Sequence, residues 1–318
     1  MKTLQTLIVV LVGLLSLTAR GGVLPNDAVI DGKTIGEWSA EWWKWVLPIS
    51  SNNNPMLDTT GAFAAVSQPA GSVFLVAGDL GIAPGPFIRT FTVPQGKYLF
   101  FPVDMYEADN VNTAPLTVDE LRDQAAGVVA AITNLHASLD GVEISNLFAH
   151  RALSPVFSIF YPTADNLQTV GFGGQPIRGL IDPMVSDGYW LMLEPLSVGQ
   201  HLLTFGGEFG PPYYFFPADI VDYITVLPAS PLEGVDDLIE AVRGTTLPAG
   251  QLQPLLASLN AARASFQSDN LRAAINQLNA FQNKIRAQVL RTEDQLAEQL
   301  IQTAQKIIDS AAARMANR

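Results

Sequence analysis

The sequence predicts a multi-domain chain: a mainly antiparallel β-sandwich with helical insertions, followed by an all-α bundle of three or four helices. Three observations carry this. Between residues 71 and 226, short apolar or alternating runs recur between Gly- and Pro-containing turns, the pattern of a sandwich. From about residue 232 onward, apolar positions recur at helical spacing instead. Composition changes at the same place. Ser230 to Arg318 holds nine acids and nine bases, so the rest of the chain carries the whole net charge of −12. That stretch also contains only Phe266 and Phe281 among the aromatic residues. A coincident shift of this kind marks a domain boundary, placed here in the proline-flanked Leu227-Pro-Ala-Ser-Pro231. The expected division is a signal peptide at 1–19, a sandwich at 20–227, a linker at 228–231 and a bundle at 232–318.

The first residues read as an export signal. Lys2 supplies a positive start, and Leu4 to Leu17 is almost continuously apolar. Small residues follow, with cleavage expected after Ala19. The apolar run is shorter than the ~20 residues of a spanning helix, and no cysteine follows it for lipid attachment. A secreted or periplasmic protein with no membrane insertion after cleavage is the expectation. A hydrophobic fraction of 48% in 318 residues is ample for real cores, while 15% charged is low for a cytosolic enzyme. Without cysteine there is no disulfide, thiolate metal site or thiol nucleophile. A net charge of −12 argues against nucleic acid and against anionic membrane surfaces.

Within the sandwich, Thr34-Ile-Gly-Glu37 is a capping box that opens a helix over 34–47. Ile35, Trp38, Trp42 and Trp45 share one face of it, a stripe expected to pack on a sheet. Trp43 lies off that stripe and is the one expected at the surface, where it could stack on a sugar ring. Strands follow at Ser72–Ala77, Phe87–Val93 and Tyr98–Val103. The last two, joined by the turn Pro94-Gln-Gly-Lys97, predict a hairpin. Phe87, Arg89, Phe91 and Val93 fall on one face. A second capping box, Thr117 with Glu120, opens an inserted helix over 117–136. Further strands are expected at Gly141–Ile144, Val156–Phe160, Gly188–Leu193, Gly199–Phe205 and Ala218–Val226.

Several motifs of this region occur together: Trp38-Ser-Ala-Glu-Trp-Trp-Lys-Trp45, Asn54-Pro, Asp58-Thr-Thr-Gly61, Val73-Phe-Leu-Val-Ala-Gly78, Arg89-Thr-Phe-Thr-Val-Pro-Gln-Gly-Lys97, Phe100-Phe-Pro102, Asp187-Gly-Tyr189, Pro195-Leu-Ser-Val-Gly-Gln-His201 and Phe205-Gly-Gly207. In that order they resemble a family of uncharacterised secreted bacterial proteins, over most of residues 31–226. Its members tend to carry one cysteine near the Thr-Gly turn and another in the strand after the arginine. Ala64 and Phe91 stand at about those places here, so the resemblance implies a disulfide replaced by packing. It supports export and brings no activity.

The chemistry-bearing candidates are few. Asp104-Met-Tyr-Glu-Ala-Asp-Asn110 is expected as a loop after a strand, a common position for binding residues. Asp104, Glu107 and Asp109 could collect oxygen ligands for Ca²⁺ there, the alternative being a solvated acidic loop. The sequence implies no other cofactor. The same three head the carboxylates that could act in pairs, with Asp182, Asp187, Glu194 and Glu208 behind them. His136, His150 and His201 are not spaced as a helical zinc pair. His150-Arg151 reads as a surface pair, and His201 as a side chain bonded to nearby backbone. Gly171-Phe-Gly-Gly174 reads as a turn. Phe209-Gly-Pro-Pro-Tyr-Tyr-Phe-Phe-Pro217 reads as a loop folding its rings over the open end of the sandwich, with Tyr213 and Tyr214 as the ligand-facing alternative.

In the tail, helices are expected at Val235–Arg243, at Pro248–Phe266, from a cap at Asp269 through Val289, and after a third capping box of Thr292 with Gln295. Ala274-Ile-Asn-Gln-Leu-Asn-Ala-Phe-Gln282 and Ala297-Glu-Gln-Leu-Ile-Gln-Thr-Ala-Gln-Lys-Ile-Ile308 resemble a FIMAH-type helical module, over about 232–311. That resemblance implies an accessory or interaction role. The function expected is a secreted binding protein for a glycan or a cell-surface protein. The competing class is a secreted hydrolase or lyase acting on a polysaccharide through the carboxylates of the 104–109 loop.

Overall fold

The structure, a computed structural model, describes residues 21–81, 83–111, 115–171, 175–213, 215–227, 230–289 and 294–316. The expected signal peptide and the Thr292 capping box lie outside them. In chain order the elements begin with β1 (Val29–Ile30), β2 (Lys33–Thr34), α1 (Ile35–Val46), β3 (Val73–Leu75), β4 (Phe87–Pro94) and β5 (Tyr98–Ala108). Then come α2 (Val118–Val129), β6 (Ile132–Leu139), β7 (Val142–Glu143), β8 (Arg151–Leu153), β9 (Phe157–Tyr161), α3 (Leu167–Gly171), β10 (Gly179–Leu193), β11 (Gly199–Phe209) and β12 (Ala218–Leu227). Four helices close the chain: α4 (Pro231–Arg243), α5 (Ala249–Gln267), α6 (Leu271–Gln288) and α7 (Asp294–Ala316). The result is a β-rich domain followed by an all-helical bundle.

Two five-stranded sheets form the β-rich domain. One runs β3-β5-β10-β8, with β9 on the first half of β10; the other runs β4-β12-β11-β6-β7. Most pairs are antiparallel, but β3–β5 and β4–β12 are parallel. The expected hairpin of β4 and β5 does not form, because the two strands belong to different sheets. The turn at Gly96, with φ of +89°, is a corner between layers. The reason is burial. Phe91 and Val93 of β4 meet Leu99, Phe101 and Val103 of β5 in one apolar layer, and apolar faces are better covered face to face than edge to edge. Ala64 and Phe91 both pack into this layer, where Phe91 stacks on Phe74 at 6.0 Å.

The other face of the first sheet is covered by α1. Its capping box forms as read: Glu37 N–H donates to Thr34 Oγ1 at 3.3 Å and Thr34 N–H donates to the Glu37 carboxylate at 2.8 Å. All four tryptophans are buried, and each indole N–H finds an acceptor. Trp38 donates to Ile30 O (3.0 Å), Trp42 to Val76 O (2.8 Å), Trp43 to Ser186 Oγ (2.8 Å) and Trp45 to Val66 O (2.9 Å). Trp42 also packs edge-on to Trp190, which stacks on Phe100 at 5.3 Å. The expected exposure of Trp43 is therefore corrected. It is 3% exposed, because its indole reaches Ser186 on β10 and packs edge-on to Trp42.

The inserted helix is also shorter than expected. It ends at Val129, and residues up to His136 enter β6, where pairing with β11 wins over helix continuation. Asn134, at φ +52°, lies inside β6, where the register with β11 shifts. In the bundle, each helix touches the next and α4 closes on α7 around one aliphatic core. The cap of α6 is Asn270, not Asp269: its side chain accepts from Ala273 N–H at 3.1 Å. Pro231 already occupies the first turn of α4, so the helix starts inside the expected linker.

The tryptophan layer yields a test. All five tryptophans lie before residue 191, so their fluorescence reports the β-rich domain alone. Trp42→Ala removes a fully buried indole and leaves Val76 O unpaired. It is expected to cost about 3–5 kcal/mol in urea unfolding followed by fluorescence. Lys44→Ala on the exposed face is expected to change stability by less than about 0.5 kcal/mol.

Candidate functional site

A pocket opens where the second half of β5 faces the β11–β12 connection. The strand pairing explains its polar wall. Opposite Tyr189 and Trp190 the register of β5 slips by one residue, a β-bulge at Pro102–Asp104. Before the bulge, Leu99, Phe101 and Val103 face the inter-sheet layer. An unbroken alternation would turn Asp104 to the opposite face. The bulge instead sends it into the same layer as Val103, against β11. Gly207 makes room: a Cβ there would stand 2.8 Å from Asp104 Oδ2. On the opposite wall, Gly81 at φ +62° lets the 78–81 segment turn beside Phe215.

The pocket is lined by Trp43, Asp79, Asp104, Tyr106, Phe215 and Phe216, among others, and holds about 60 Å³. That is space for about four waters, so a ring-sized guest would have to lie partly in the open mouth. Phe209 and Phe215 meet edge to face at 4.9 Å. Phe215 and Phe216 are 39% and 46% exposed, so they form the mouth.

Among the described residues its charged lining side chains are Asp79, Asp104 and Glu107, each with one buried oxygen that has no partner. Asp79 Oδ1 accepts from Gly81 N–H at 3.3 Å, and Asp104 Oδ1 accepts from Met105 N–H at 2.9 Å. The second oxygen of each is buried without a partner. Burial pushes the Asp79 carboxyl up to about 6 and the Asp104 carboxyl well above the usual range. Asp79 adds to the effect on Asp104. The nearby cation Arg89 lowers Asp79 by less than burial raises it, and it makes no hydrogen bond to either acid. Arg89 is 3% exposed and spends its guanidinium on Asp222, at 2.7 and 2.9 Å, and on Ala77 O at 2.7 Å.

The expected 104–109 loop is corrected: β5 runs on to Ala108 because Glu107 and Ala108 stay paired with Ser186 and Val185 of β10. Asp104 and Glu107 both line the pocket, and Glu107 also interacts with Asp109, Gln168 and Tyr161. Burial and the Asp109 charge push Glu107 well up. The Gln168 amide donates to Asp109. Among the described residues no group of three or more His, Asp or Glu could hold a metal ion.

Tyr213 is half-buried near Gly127 and does not line the pocket. Tyr214 lies outside the described residues. The rings of Phe209, Phe215 and Phe216 from the same stretch are the ones that reach it, as the ring-covered open end anticipated. Asp79 was missed, since a lone acid after a short strand gives no periodic signal. His150-Arg151 is not a simple surface pair: Arg151 closes a 2.6 Å bridge to fully buried Asp187. His201 is held by Ser197 O and Asp140, both at 2.8 Å. Glu208 accepts from Asn134, and Glu194 from Gly22 N–H.

No family model matches this chain, and no curated protein is similar to it. Two solved structures are weakly alike. A cysteine protease inhibitor from Entamoeba histolytica shares 10% identity over 45% of this chain and all of its own, at a TM-score of 0.17. Amebosin shares 9% identity over 44% of this chain and all of its own, at a TM-score of 0.14. Likeness this low carries no argument about fold or function.

The raised acid predicts a pH dependence. Below the usual carboxylate range Asp79 is protonated both folded and unfolded. As pH rises through about 4 to 6 the unfolded chain releases the proton while the folded one keeps it, so stability falls. Above about 6 the full penalty, about 3 kcal/mol, is present. Asp79→Asn does not titrate. Its stability relative to the parent is expected to rise between about pH 4 and 7, measured by fluorescence-detected unfolding at each pH. A gap independent of pH would show that Asp79 is not held protonated.

Proposed function

We propose that this chain is an exported, non-catalytic binding protein whose β-rich domain takes one sugar-sized ligand in the aromatic pocket. The observation that carries this is the pair of buried carboxyl oxygens without partners in a cavity walled by rings. Buried polar atoms left unpaired are costly, and a ligand that donates hydrogen bonds to them removes that cost. A ring laid on Phe215 and Phe216 covers the apolar mouth. A sugar ring has both properties: hydroxyl donors at its edge and an apolar face. Export rests on Lys2 and the apolar run behind it, and resemblance to secreted proteins supports it. The bundle is assigned an accessory role, docking to a cell-surface protein.

The competing reading is a hydrolase or lyase. Its support is a carboxyl whose burial raises it beside a second one, the arrangement acid–base chemistry needs. The Glu107–Asp109 pair is assigned calcium only if binding depends on that ion.

The test is a glycan array probed with the full chain, with and without 1 mM (about physiological extracellular,) calcium, beside Phe216→Ala. Reproducible binding weakened about tenfold by that exposed substitution is the expected result. Release of sugar product during incubation would replace binding by catalysis, and silence across the array would reject the sugar ligand.

A further inference from the structure

We infer that the ligand of this pocket carries a protonated primary amine, which sits between Asp79 and Asp104. The inference rests on the pocket being a ligand site and adds the charge of what it takes.

The chemistry follows from what the two acids lack. Each uses one oxygen on a backbone N–H, and Oδ2 of each is buried with no donor. Asp104 is 7% exposed and Asp79 9%. A neutral hydroxyl supplies a hydrogen bond but leaves two desolvated like charges, or two acids forced to stay protonated. An ammonium supplies up to three donors and the opposite charge at once. Protein cations are not available for this. Arg89 is already bidentate on Asp222 and bonded to Ala77 O, and among the described residues lining the pocket there is no Lys, Arg or His. The remaining walls suit the same guest. Trp43, Tyr106, Phe215 and Phe216 present ring surface, which attracts a cation and covers the hydrocarbon body attached to it. The overall charge of −12 draws cations toward the domain. The shared chemistry is a ring-sized body bearing one ammonium, and its source is either an amino sugar or a non-sugar amine.

Two matched pairs of probes decide this by calorimetric titration of the full chain at neutral pH: glucosamine against glucose, and cyclohexylammonium against cyclohexanol. At least tenfold tighter binding of the amine within a pair is expected, and the pair that shows it identifies the source. Asp104→Asn is expected to erase that preference while the neutral partner still binds. Asp79→Asn repeats the test in case the first variant does not fold. Equal affinity within both pairs overturns the ammonium but leaves the pocket a ligand site. No binding by any of the four overturns both.

Discussion

The bidentate pair of Arg89 and Asp222 sets the electrical state of the sandwich interior. The two residues are direct neighbours in the parallel pairing of β4 with β12, and both are buried. Removing either would leave an uncompensated charge in the core. Their mutual satisfaction, with the Ala77 carbonyl completing the guanidinium, ties the end of β3 to the second sheet. It also commits the hydrogen bonds of Arg89 elsewhere, so its charge lowers Asp79 by less than burial raises it. The pocket therefore keeps its acids without a bonded cation. The same arrangement that stabilises the sheet junction leaves two carboxyls in an unfavourable state beside it.

The second constraint is the tryptophan layer. Four indoles on one short helix bury a large apolar area, and the four acceptors for their N–H groups are spread over segments from Ile30 to Ser186. Side-chain donors thus fix where loops without regular structure must pass. Trp43 belongs to this scaffold and at the same time forms a wall of the pocket. Rigid walls suit a binding site, because a host already held in shape loses little freedom when its guest arrives. The rim is formed by Phe215 and Phe216, half-exposed on a connection rather than a strand.

By itself the sequence determined what depends on near neighbours in the chain. The two β-domain capping boxes, the Trp stripe, most strands and the four-helix tail follow from local spacing, and the inward face of β4 with Arg89 on it was legible too. What only the tertiary structure decided depends on partners far apart. That β4 and β5 lie in opposed sheets, that β6 replaces the end of a helix, and that Trp43 is buried toward β10 are outcomes of burying apolar layers against each other. The site belongs to the second group. A one-residue bulge reverses which way Asp104 faces, and the bulge exists only in the pairing of β5 with β10. Asp79 comes from a turn about 25 residues away along the chain, and the rings come from Trp43, from Tyr106 and from residues 205 to 216. Their convergence is set by sheet register, which no local pattern in the sequence encodes, because a shift of one residue exchanges the faces while leaving every residue the same.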